Sequence, residues 1–208
     1  MGLSRAVKGL SVKAVVNPLI VVVLISVVLI LGWGLLSMTV NYLSVVRLEQ
    51  QLHSFVNEIS SDTHFYIEAL SSSESVYTVY VGLLRVSGIP TVYYLCVLNQ
   101  SNNMPVENVA VEILYDEGYR DANSMMVESD NMYVLSQIAR YMPLSAETGV
   151  RNVTLYIINF TGQEPLSIKI NVRVEAVDQQ PKLTLILLVP YGQKYYEVKR
   201  LYVDWGRW

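Results

Sequence analysis

The chain has 208 residues and a net charge of −3, with 52% hydrophobic and only 16% charged residues. Soluble domains carry roughly 25% charged residues, so the balance leans apolar, and it excludes the clustered Lys and Arg of a nucleic-acid surface. The length fits one folded domain plus an appendage.

Residues 1–13 read as a basic cytoplasmic leader containing Arg5, Lys8 and Lys13. No charged residue occurs from Ala14 to Val46, and Leu19 to Leu36 is almost wholly aliphatic. A hydrocarbon core of about 30 Å needs about 20 apolar residues as helix. Backbone in lipid must satisfy its own hydrogen bonds, so residues 14–46 are expected to be a transmembrane helix despite their β-branched content. Trp33 and Tyr42 lie toward its outer end, where aromatic rings favour the interface. Basic residues stay on the cytoplasmic side. The expected topology is therefore a single pass through the cell membrane, with the N-terminus cytoplasmic and the C-terminal part extracellular. The apolar run exceeds the roughly 7–15 residues of a secretory signal, so the expectation is an uncleaved anchor or a pilin-type signal.

Residues 47–70 read as an amphipathic helical stalk. Val45, Leu48, Leu52, Phe55 and Ile59 recur at helical spacing on one face. That stripe has two readings: packing against the chain's own β domain, or self-association. Ser60, Ser61 and Asp62 either end the helix or cap a continuation through Phe65 to Leu70.

Residues 71–208 read as an extracytoplasmic β domain. In Leu166 to Glu175 apolar and polar residues alternate strictly, as in a half-buried strand. Asn108 to Ile113 alternates similarly. Val76 to Leu84, Val92 to Leu98, Val153 to Phe160, Leu183 to Val189 and Tyr195 to Val203 are rich in residues that suit pleated sheet. Gly- and Pro-containing turns separate these runs. About seven short strands at this spacing predict an antiparallel, Ig-like β-sandwich. The fold class is thus mainly β with one long N-terminal helix. Leu135 to Met142 is a candidate short helix, and the tail Tyr202 to Trp208 is placed either over one end of the sandwich or against a partner.

The chemistry-bearing residues are few. Cys96, the one cysteine, lies in an apolar run and reads as a small buried hydrophobe. Asn99, Asn152 and Asn159 open N-glycosylation sequons, all after the span. His53 and His64, near Glu49, Glu58 and Asp62, lack the tighter spacing of zinc ligands. They are read as exposed polar residues on the stalk. The acidic loop from Asp116 to Asn123 departs from the EF-hand order and includes Arg120. No phosphate loop, nucleophile elbow, HExxH or CxxC occurs. The reading is a non-enzyme with no cofactor, no metal and no evident small-molecule substrate.

Lys8-Gly9 before Leu10 looks like the basic-Gly pair cut by a prepilin-type peptidase. With the long apolar helix and the β head behind it, the N-terminus resembles archaeal type IV pilin-like proteins, the group that includes archaellum filament and accessory subunits. The resemblance implies processing at Lys8, Gly9 and Leu10, storage in the membrane and filament assembly through the helix. Lys13 departs from that pattern, since it would fall in the mature apolar helix. The functional expectation is a membrane-anchored cell-surface structural or interaction protein, in pilin-like form a filament subunit. The alternative is a permanently anchored accessory subunit of a membrane complex. Its expected partners are the membrane and either copies of itself or a complex partner.

Overall fold

A computed structural model describes residues 18–73, 75–115, 118–136, 141–162, 164–174 and 180–207. The leader and the candidate processing site Lys8, Gly9 and Leu10 lie outside the described residues. The chain divides into two compact units, Met1–Gln50 and Gln51–Trp208.

The described part of the first unit is helical. Helix α1 runs Pro18–Asp62, 45 residues, and its last turns belong to the second unit. From Leu19 to Leu48 the large apolar side chains are almost all exposed. An 18-residue window reaches a mean hydropathy of 3.0 with none of it buried, so α1 is long and apolar enough to cross a membrane.

The second unit is a β-sandwich. Its strands are β1 Thr63–Ser73, β2 Val76–Arg85, β3 Thr91–Asn99, β4 Val109–Tyr115, β5 Gly118–Asp121, β6 Ser124–Glu128, β7 Met132–Leu135, β8 Tyr141–Pro143, β9 Asn152–Phe160, β10 Leu166–Arg173, β11 Lys182–Tyr191 and β12 Lys194–Asp204. Five strands form one sheet in the order β1-β2-β10-β4-β5, and seven form the other in the order β6-β9-β3-β11-β12-β7-β8. All pairs are antiparallel except β12 with β7, which is parallel and makes the larger sheet mixed. Alternation places Val79, Val81 and Leu83 of β2, Ile168, Ile170 and Val172 of β10, and Leu95 and Val97 of β3 in the core between the sheets.

The larger sheet is buried on both faces, which explains why β11 reads as the continuous apolar run Leu183 to Val189. Its second face carries Cys96, Leu98, Ile186 and Leu188. Met132 and Val134 of β7 and Leu144 of α2 (Leu144–Thr148) cluster with them. Helix α2 ends at Gly149, whose φ of 70° is the left-handed conformation of a helix C-terminus. Of the stretch Leu135 to Met142 expected as a short helix, residues 137–140 lie outside the described residues, and both its ends are strand. Leu135 ends β7, Tyr141 and Met142 lie in β8, and the helix begins two residues later, at Leu144.

A second difference lies at the stalk. Helix α1 stops at Asp62, and residues 63–70 are strand, not helix. The β head therefore begins before residue 71. The period-2 signal of β1 is hidden by a bulge between Ile67 and Ala69. Half-buried or buried positions fall at Thr63, Phe65, Ile67 and then Leu70, so the extra residue breaks the alternation. Of the aromatic tail, Trp205 packs onto the sandwich, while Tyr202 is exposed. Trp205 is buried against the edge of the Tyr77 ring, and its Nε1 donates to Ser71 O at 3.3 Å.

Candidate functional site: the apolar helix and its footing

The stripe predicted on α1 is split by its surroundings. Val45 and Leu48 are exposed, whereas Leu52 and Phe55 are half-buried and Ile59 is buried in the core of the β unit, beside buried Val56. The sequence reading offered all five as one self-association surface. The structure seats Leu52, Phe55 and Ile59 on this chain's own strands, covering Ile59 and part of Leu52 and Phe55. Phe55 packs on Tyr191 at 5.3 Å between ring centroids, and Ser60 Oγ donates to Val198 O at 2.8 Å.

The end of α1 is clamped by a polar cluster. Arg85, nearly buried, donates from Nε to Asp62 Oδ2 at 2.8 Å. The Ser87 N–H donates to Asp62 Oδ1 at 2.8 Å, and the Ser87 hydroxyl donates to Oδ2. Arg85 Nη1 donates to Thr91 Oγ1 and, at 3.4 Å, to Ile89 O. The Val86 N–H donates to Asp62 O at 2.9 Å, satisfying a carbonyl that the helix end leaves open. The Ser87 hydroxyl bond holds the Asp62 carboxyl below its ordinary value of 3.8, with Arg85 and the Ser87 N–H adding to it against a desolvation that pushes it up. Just inside the clamp, Thr63 Oγ1 and Tyr93 Oη share a buried hydrogen bond of 2.7 Å.

A shallow groove of about 470 Å³ runs beside this footing. One wall is Phe55, Glu58 and Ile59 of α1; the other is Ile89, Pro90 and Val92 with Val189 and Pro190 of β11. Its lining is largely apolar, and Ile89 and Val92 remain exposed. On the other side of the helix foot lies a lattice of rings. His53 stacks on Tyr141 at 5.8 Å, Tyr141 meets Tyr196 at 5.5 Å, and Tyr133 stacks on Tyr196 at 5.1 Å. Behind it Glu197, 2% exposed, accepts from Arg200 Nε at 3.0 Å, from Arg200 Nη2 at 2.7 Å and from the Leu135 N–H at 2.9 Å. Arg200 also reaches Glu147 of α2 at 3.2 Å, tying that helix to β12. Burial works against the charge on Arg200, but the bonds to Glu197 and Glu147 outweigh it and raise its pKa.

The remaining sequence candidates fall as follows. Both histidines belong to the β unit: His53 packs on the Tyr141 ring, and His64 is exposed on β1, opposite Leu84. Among the described residues no group of three His, Cys, Asp or Glu side chains is placed to hold a metal. Of the acidic loop, Asp116 and Glu117 lie outside the described residues, and Gly118–Asp121 form β5. Cys96 is a buried free thiol, and burial pushes its pKa up to about 12, which suppresses the reactive thiolate. Asn152 and Asn159 are exposed at the two ends of β9. Asn99, at the end of β3, turns its Oδ1 back to accept the Ser101 N–H at 2.8 Å. The clamp, the groove and the Glu197–Arg200–Glu147 network escaped sequence reading. Each joins residues far apart in the chain, and only the Pro- and Ile-containing turn after Ser87 hinted at the groove.

No family model matches the chain, and no curated protein matches it. Among solved structures, the N-terminal domain of PorA aligns at 10% identity with a TM-score of 0.31, over 68% of this chain and 94% of that one. The Streptococcus suis adhesion Fhb aligns at 11% identity and a TM-score of 0.32, over 62% of this chain and 77% of that one. A mutant of Streptococcus suis SadP aligns at 12% identity and a TM-score of 0.32, over 62% and 76%.

Proposed function

We propose that the chain is a membrane-anchored cell-surface structural protein, held by α1, that presents its β head outside and assembles with copies of itself in a pilin-like manner. The observation that carries this reading is the exposure of α1. Its aliphatic face from Leu19 through Leu36 is covered by nothing in this chain, and apolar surface on that scale requires lipid or protein around it. The basic residues Arg5, Lys8 and Lys13 orient the N-terminus toward the cytoplasm, and Lys8-Gly9 supplies the candidate cleavage point for release into a filament. Protease added to intact cells tests the topology: the head is expected to be digested, and a head protected until the membrane is opened overturns the proposal.

A second reading is favoured by the footing itself. With Leu52, Phe55 and Ile59 taken into the head, only the upper part of α1 is left for a helix bundle. A permanently anchored accessory subunit needs no more than that. The N-terminal residue of the mature protein separates the two. A chain starting at Leu10 supports the filament subunit, and one starting at Met1 or Gly2 supports the accessory subunit.

A further inference from the structure

Two apolar surfaces stand open on this protein. The first is the groove of about 470 Å³ between the α1 footing and the turn after β2, with Phe55, Ile59, Ile89, Val92 and Val189 along it. The second is α1 itself beyond the length that lipid covers. A bilayer core takes about 20 helical residues, yet α1 continues apolar and exposed through Val40, Leu43, Val45 and Leu48, which are 54–59% exposed. Val45 and Leu48 are three residues apart and share a helix face, the spacing by which an amphipathic helix seats in a groove. Two charged residues line the groove: Arg85, already paired with Asp62, and Glu58, which is exposed; the segment around Leu48 carries Arg47 on one side and Glu49 on the other, and Arg47 is the one that complements Glu58.

We infer that the groove is a docking site for the Leu43–Leu48 segment of α1 from a second copy of this chain, with the Arg47 guanidinium of that copy facing Glu58. The inference deepens the proposed self-assembly and rests on it. The contact is heterologous: each copy offers one groove and one helix segment, and the two are different surfaces. Such a contact propagates from copy to copy unless a rotation closes the ring. It also gives the exposed outer end of α1 a protein partner, while Phe55 and Ile59 contribute to the groove what their packing on the strands leaves open.

The test is cross-linking of the full-length chain in native membranes with a bismaleimide. Leu48→Cys is combined with Val92→Cys in one chain, and Val45→Cys with Ile89→Cys in another. All four positions are exposed, so the replacements leave the core intact, and buried Cys96 is shielded from the reagent. The expected result is a ladder of cross-linked species from at least one double variant and none from any single variant. Linkage in Leu48→Cys alone would mean a symmetric helix-to-helix contact and overturns the docking site, as does the absence of a ladder from both double variants. Arg47→Glu is expected to reduce the ladder about tenfold, and Glu58→Arg in the same chain to restore it; no restoration rejects the charge pairing. Protease accessibility of the head is scored on the same cells. An accessible head without a ladder removes the docking contact and leaves the anchored topology standing, whereas a protected head removes the topology itself.

Discussion

Gly82 faces outward from β2, yet it is buried, because Tyr66 on the paired strand β1 lays its ring over it. A Cβ at Gly82 would stand 2.6 Å from Tyr66 Cε2, so only glycine leaves room for the ring. Gly82→Ala is expected to swing the exposed Tyr66 ring off the strand at a cost within about 0.5 kcal/mol of head stability, read as a nearly unchanged urea midpoint. Tyr66→Ala in that background should then cost little more, since the ring has already lost its seat. The Asp62 carboxylate gives a pH-dependent counterpart. Its folded pKa lies below the ordinary 3.8, so its stabilisation is complete above that value and is lost as pH falls through the lower folded one. Asp62→Asn is expected to be less stable at neutral pH and to show a shallower loss of stability below pH 3.8; an unchanged acid slope would remove the clamp from the account. Neither pairing was legible in the sequence. Tyr66 and Gly82 are joined by strand register, and Asp62 and Ser87 by a turn whose position depends on β1 existing. What could be read was Cys96, because an apolar run with no polar partner fixes its environment locally.

Elements were legible where one physical signal governed them. Strands β2, β3, β4, β9, β10, β11 and β12 each carry alternation or a continuous apolar run, and all seven lie where that pattern puts them. The short strands β5 to β8 lack it, because they pair along only two to five positions, too few to impose a period. Helix α1 shows both outcomes. Its 3-4 spacing announces the helix, but spacing alone does not say what covers the stripe. The burial change between Leu48 and Ile59 does, and it separates the two halves energetically. Ile59→Asp places a carboxylate in the core and opens a void, at an expected cost of about 4 kcal/mol to the head. Leu48→Asp touches no core residue and is expected to leave head stability within about 0.5 kcal/mol. Chemical denaturation in mild detergent, followed by tryptophan fluorescence, distinguishes them. Equal losses would mean that the stripe acts as one unit.

At the scale of the whole chain, the boundary of the folded head decides what can be cut away. The sequence pattern sets it at residue 71, after a polar serine run. The structure sets it at Gln51, because the final turns of α1 and Phe65, Ile67 and Leu70 of β1 contribute to the head's core. A fragment starting at Ser71 lacks Val56, Ile59, Thr63 and Phe65, all buried, and it exposes the paired edge of β2 from Val79 to Arg85. An open apolar-faced edge of that length is a template for aggregation. It also loses Asp62, and with it the 2.8 Å ion pair through which Arg85 ties β2 to the end of α1. A fragment of residues 51–208 keeps every one of these contacts and sheds the exposed apolar length of α1. It is expected to be monomeric on size exclusion and to unfold in a single cooperative urea transition, while the fragment of residues 71–208 is expected in the aggregated fraction. Soluble, cooperative folding of the shorter fragment would show that the foot of α1 and β1 dress the sandwich rather than complete it, and the docking groove, whose wall is Phe55 and Ile59, would then have no fixed shape.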